Sequence, residues 1–177
     1  MISRRSAIFH VASGVAAAGL LLRPSAAEAE QDYQRFSPLL VDLQGWQGGK
    51  PHGASMDLLG NNMGTIIATR EYRRGSARLH ADVLVGPEGL IGSAGWMLLA
   101  VSGLHIDVSE GRLSTSTIDG RQVTRIFSAK DDTGAIIVTL GARALFGIAF
   151  NKVTDDEALT LVKEFDWKAI EAASHAN

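Results

Sequence analysis

The sequence predicts an α+β domain, an antiparallel sheet of about six strands with helices packed on it, in an α/β/α sandwich-like arrangement. Three observations carry this. Ala77 to Val85 alternates strictly, with Leu79, Ala81, Val83 and Val85 on one side and Arg78, His80 and Asp82 on the other, the signature of a half-buried strand. Ile118-Asp119-Gly120-Arg121 is an Asp-Gly hairpin turn, favoured where both central residues need positive φ. Thr154-Asp155-Asp156-Glu157 is a capping box, in which the threonine hydroxyl and a glutamate three residues on satisfy the free amides that open a helix.

The elements follow in order along the chain. Phe36-Ser37-Pro38-Leu39-Leu40 is a short docking segment. Gln44 to Gly53 reads as a loop, because glycine and proline punctuate it. Thr65 to Tyr72 is a strand that turns at Arg73-Arg74-Gly75-Ser76 into Ala77–Val85. Leu90 to Val101 is apolar without a clear period, and its length favours a buried helix. The Asp-Gly turn joins a strand at 112–118 to one at 122–129, and two further strands follow at 135–140 and 144–150. In the last of these Phe146, Ile148 and Phe150 share a face, opposite a thin one of Gly147 and Ala149. The helix after the capping box has an apolar stripe of Ala158, Leu161, Val162 and Phe165 at helical spacing, and helix continues or restarts at Asp166-Trp167-Lys168-Ala169-Ile170.

Ahead of this domain, residues 1–29 read as an export signal. Arg4 and Arg5 form a basic start, Ala7 to Leu22 carries no charge, and Ala27-Glu28-Ala29 supplies the small-x-small cleavage pattern. The apolar run is shorter than the roughly 20 residues of a membrane-spanning helix, so no stable membrane anchor is expected. Ser3-Arg4-Arg5-Ser6-Ala7-Ile8-Phe9 resembles the twin-arginine (Tat) export motif, with Ala7 standing where the motif usually has Phe. That resemblance implies the Tat translocase as a partner during export, folding before export, and a single periplasmic domain over residues 30–177.

Composition narrows the function. The net charge is −2, and loss of the basic leader makes the remainder more acidic, so no nucleic acid is expected as a partner. The absence of cysteine removes disulfides, thiolate metal sites, a lipoprotein anchor and a cysteine nucleophile. Gly45 to Lys50 tempts as a phosphate loop, but Gln44 replaces its first glycine and Pro51 its Ser or Thr. No G-x-S-x-G elbow or H-E-x-x-H helix occurs. His52, Met56, Met63, His80 and His105 are soft or borderline metal ligands. None of them has ligand spacing, so no metal and no cofactor are expected.

Two surface features remain as contact candidates. Arg70, Arg73, Arg74 and Arg78 surround one hairpin and, with His80, suit an anionic group or acidic partner, or simply blunt an edge strand. Trp46, beside glycines and Lys50-Pro51-His52, either presents an aromatic anchor to a partner or folds back as a lid on the core.

The Leu-Leu…Leu-x-Gly-Trp opening, Arg70-Glu71-Tyr72 with its arginine-glycine turn, the Ser-Thr-x-x-Asp-Gly hairpin and the terminal Asp-Trp-Lys-Ala-Ile resemble small Tat-exported bacterial periplasmic proteins of no assigned activity. The element order is also similar to the PsbP-like α/β/α sandwich. The resemblance implies a non-enzymatic accessory or binding protein that meets an unknown periplasmic protein or small ligand; assembly of an exported redox complex is the specific expectation, because Tat passengers are often redox-linked. The alternative is a periplasmic hydrolase or metal-dependent enzyme whose site assembles only in the fold.

Overall fold

A computed structural model describes residues 32–56, 64–88, 111–130 and 132–176. Eight strands form one antiparallel sheet: β1 (Gln47–Gly48), β2 (His52–Met56), β3 (Thr65–Arg74), β4 (Ala77–Val85), β5 (Arg112–Ile118), β6 (Arg121–Ser128), β7 (Thr133–Leu140) and β8 (Ala144–Asn151). The spatial order is β1-β3-β4-β8-β7-β6-β5, with β2 pairing beside β1 along β3. Two helices follow, α1 (Asp155–Val162) and α2 (Trp167–Ser174), and a 3-10 turn, Ser37–Leu39, precedes the sheet.

The α+β class holds, and the described residues form eight strands where six were expected. Both added strands fall in or beside the glycine-rich stretch expected to be a loop. β1 has two residues, and β2, His-Gly-Ala-Ser-Met, has no β-branched side chain to advertise it. Its glycine is structural. A Cβ on Gly53 would lie 2.3 Å from the Ile67 carbonyl oxygen and 2.5 Å from the Tyr33 ring. Backbone and ring approach there as only glycine allows.

The strict alternation of β4 places its two sets of side chains as expected, but both sets are buried over most of the strand. One face carries the main core. Leu79, Ala81 and Val83 of β4 meet Phe146, Ile148 and Phe150 of β8, and Phe36, Leu40 and Leu43 close one end. Ala158, Leu161, Val162, Phe165 and Ile170 of the helical region cover the rest. On the opposite face Ile67, Leu84, Ile137 and Leu145 form a second, smaller cluster. Asp82, expected on the polar side of a half-buried hairpin, is only 1% exposed.

Both described helices lie against the β7–β8 side of the sheet. The segment expected to be a buried helix, 90–101, lies outside the described residues, as do the leader, Met63 and His105. No described helix is long and apolar enough to cross a membrane.

The Asp-Gly turn is built as the sequence predicts; of the capping box the threonine half forms, while the Glu157 carboxylate pairs with Arg74. The Thr154 hydroxyl accepts from the Glu157 amide at 3.3 Å, and the Asp166 carboxylate from the Ala169 amide at 3.0 Å. Helix therefore restarts at Asp166 rather than continuing, and the Trp167 indole N–H donates to the Val162 carbonyl at 2.9 Å to lock the joint. Asp119 and Gly120 have φ of 50° and 75°, the doubly positive pair of a type I′ turn.

Candidate functional site

The residues singled out in the sequence do not converge. Alternation along β3 puts Arg70 and Arg74 on the main-core face with Tyr72, and Arg73 on the other face with Thr69. Arg70 acts as an internal staple. Its Nε donates to the Gly49 carbonyl at 2.9 Å, Nη1 to the Leu40 carbonyl at 2.6 Å, and Nη2 bonds the Asp42 carboxylate. Its guanidinium also lies 5.2 Å from the Tyr72 ring centre. The Tyr72 hydroxyl donates to the Val41 carbonyl at 2.7 Å, and burial pushes that phenol well above its ordinary pKa.

Arg74 stacks 4.4 Å over the Trp46 ring and pairs with Glu157 of α1 at 2.5 Å. Trp46 is 8% exposed and belongs to the main core, so it lies against the protein as a lid. Arg73 meets Glu71 at 3.5 Å in an exposed pair, and Lys50 and His52 are exposed. Arg70 and Arg74 therefore hold the N-terminal segment and α1 onto the sheet.

A second polar group crosses the opposite face. His52, Thr69 and Asp82 stand in one cross-strand row, and Glu71 and His80 in the next. The Thr69 hydroxyl donates to Asp82 Oδ1 at 2.7 Å. Burial pushes the Asp82 carboxyl up to about 7, against the Thr69 hydrogen bond and reinforced by the nearby Glu71 charge. Burial also lowers the His80 pKa. Among the described residues, no three His, Asp or Glu side chains are grouped to hold a metal ion.

Two clefts among the described residues lie elsewhere, along the β5–β6 hairpin. One, of about 330 Å³, is lined by Arg112, Leu113, Ser114, Arg125, Phe127 and Asp155. The other, also about 330 Å³, is lined by Asp119, Arg121, Lys163, Phe165, Asp166, Trp167 and Lys168. β6 builds both by alternation: Arg121, Val123, Arg125 and Phe127 share the helix side of the strand. Val123 enters the core between two arginines, and each arginine reaches a helix. Arg121 donates to Glu171 of α2 at 2.6 Å, and Arg125 to Asp155 of α1 at 3.4 Å.

The second of these bonds is loose. Arg125 Nε and Asp155 Oδ1 are both buried and make no hydrogen bond, and Arg121 Nε is in the same position. Buried polar atoms without partners cost stability, so this hairpin–helix seam is not optimised for packing alone. Chemically, the clefts offer guanidinium and ammonium groups, one serine hydroxyl and three carboxylates, of which Asp155 faces Arg125 and Asp166 caps α2. Among the described residues, neither cleft is lined by a histidine, and none stands beside Ser114 as a base.

Sequence reasoning missed Arg112, Arg121, Arg125 and Asp155. The available signal was the spacing Arg121-Val123-Arg125-Phe127, which alternates charge and apolar side chains on one face of a strand. No protein-family model, curated protein or solved structure matches this chain.

Proposed function

We propose that the protein is a non-enzymatic binding module that acts after export to the periplasm, recognising its ligand or partner in the arginine-lined clefts of the β5–β6 hairpin. The observation that carries this reading is the composition of the clefts: among the described residues, five cationic side chains, Arg112, Arg121, Arg125, Lys163 and Lys168, line them against three carboxylates, Asp119, Asp155 and Asp166. Their size, near the lower bound of about 300 Å³ for ligand pockets, suits a small anion or one acidic side chain of a partner protein.

The binding site is tested by amide NMR on titration with acetate, succinate and inorganic phosphate. Saturable shifts are expected in 112–127 and 155–168. Shifts confined to the Arg70–Arg78 hairpin, or none at millimolar probe, overturn this site. The alternative, a periplasmic hydrolase or metal-dependent enzyme, gains no support from either cleft.

The export half of the proposal rests on Arg4 and Arg5, and it has its own test. A receptor that reads the planar guanidinium fork distinguishes arginine from lysine, whereas a general signal needs only positive charge. The Arg4→Lys, Arg5→Lys double variant is therefore expected to leave full-length precursor in the cytoplasm. Normal appearance of the form cut after Ala29 in the periplasmic fraction removes the twin-arginine reading. With it goes the reason for expecting a redox complex as the partner.

A further inference from the structure

The two edges of the sheet are built differently. At one edge β3 is covered by β1 and β2, short pieces separated by Gly49-Lys50-Pro51, and the Gly49 amide donates to the Glu71 carbonyl at 2.8 Å. Short strands, lysine and proline are the usual devices that stop an edge from recruiting another chain. At the other edge lies β5, Arg112-Leu113-Ser114-Thr115-Ser116-Thr117-Ile118, paired with β6 in unbroken register and without proline or bulge. Arg112 to Thr117 are all exposed, and no described strand pairs with the outer side. Leu113, 62% exposed, is the exposed large hydrophobic side chain among the described residues, and it sits here.

The register settles which backbone groups face outward. In a two-residue hairpin the pair flanking the turn, here Ile118 and Arg121, exchanges hydrogen bonds, and every second pair after it does the same. Arg112, Ser114, Ser116 and Ile118 thus direct their amides and carbonyls at β6. Leu113, Thr115 and Thr117 direct theirs outward.

These outward groups are self-complementary. A second β5 laid antiparallel, with Thr115 on a two-fold axis, pairs Thr115 with Thr115 and Leu113 with Thr117. Every outward amide and carbonyl then has a partner. Ser114 falls opposite Ser116, and Arg112, the one charged residue of the strand, falls opposite Ile118 rather than another arginine. Leu113 gains cover from Thr117 and Thr115 of the second copy. We infer that β5 is the contact through which two copies of this chain pair, joining their sheets across an isologous two-fold axis.

Such a contact also bears on the first cleft, because Arg112 and Ser114 line it from β5. The Ser116 and Ile118 side chains of the second copy would wall its outer side. The pairing does not depend on whether the clefts bind a ligand. A single strand pair belongs with small, transient interfaces, below about 1,200 Å².

The test is sedimentation velocity on the purified protein from micromolar to hundreds of micromolar. A concentration-dependent dimer is expected. Thr115→Pro removes an amide that points away from β6, a position an edge strand tolerates, so circular dichroism is expected to stay native while the dimer disappears. Thr115→Lys sets two like charges on the axis and keeps the amide, and is expected to weaken the dimer at least about ten-fold. Mixing Thr115→Lys with Thr115→Glu is expected to restore association as a heterodimer. A wild-type chain that stays monomeric throughout, or a dimer that Thr115→Lys leaves intact, overturns the inference. Either result leaves the NMR test of the clefts standing.

Discussion

Phe146→Ala is expected to destabilise the domain by roughly 3–5 kcal/mol, the range for emptying a buried aromatic site. Phe146 is fully buried at the centre of the sheet, with Val83 of β4 on one side in register and Val138 of β7 on the other. Its ring centre lies 4.7 Å from that of Phe165, which in turn meets Tyr72 edge-on at 6.4 Å. The lost ring therefore takes with it a contact between sheet and helical layer, in a region with rigid strands on both sides that cannot collapse into the space. Against a total of about 5–15 kcal/mol, such a loss leaves a marginal fold. Urea unfolding followed by tryptophan fluorescence measures it, with a lower midpoint and an unchanged slope expected. Trp46→Ala, at the rim of the same core, is expected to fall toward the low end of that range. A Phe146→Ala loss below about 1 kcal/mol would mean that the sheet and helices are not packed through this ring.

Those parts of the fold governed by local rules were legible in the sequence. Ala77–Val85 alternates with period two because it is a strand, and its bounds emerge as read. Asp119-Gly120 and Thr154–Glu157 work through a few neighbouring residues, so short motifs suffice to identify them. β1 and β2 escaped because their pairing with β3 is a tertiary choice that overrides a glycine-rich composition. The burial of Asp82 escaped for a similar reason: alternation tells which face a side chain takes, and says nothing of what covers that face.

The candidate site shows the same division. Arg70, Arg73 and Arg74 stood out as a cluster because they are close in sequence, yet strand alternation divides them between two faces and ion pairs occupy them. Arg125 and Asp155 are far apart along the chain and meet only because α1 returns over the sheet beside β6. No window of sequence contains both.

Asp82→Asn is expected to raise stability at pH 8 and to remove a pH dependence that the parent protein shows. Asp82 is buried, and the hydrogen bond it accepts from Thr69 does not offset the cost of holding a charge there. Its carboxyl rises from an ordinary 3.8 to about 7 in the fold. Between those values the folded state binds a proton that the unfolded state has released. Stability from this group is therefore fully present below about pH 4, declines as the pH climbs through the interval, and is gone above about pH 7. The interval corresponds to about 4 kcal/mol, as an order of magnitude. Asparagine keeps an oxygen for the Thr69 hydroxyl and has no proton to lose, so the variant lacks this slope. Other groups titrate in both proteins alike, and the informative quantity is the difference in unfolding free energy between them from pH 4 to pH 8. That difference is expected to be small at pH 4 and to favour the variant increasingly toward pH 8. A difference independent of pH, or one favouring the parent at pH 8, would show that the ionised carboxylate is stabilised in the fold. A cation would then have to stand beside Asp82, on the side of the sheet opposite the main core.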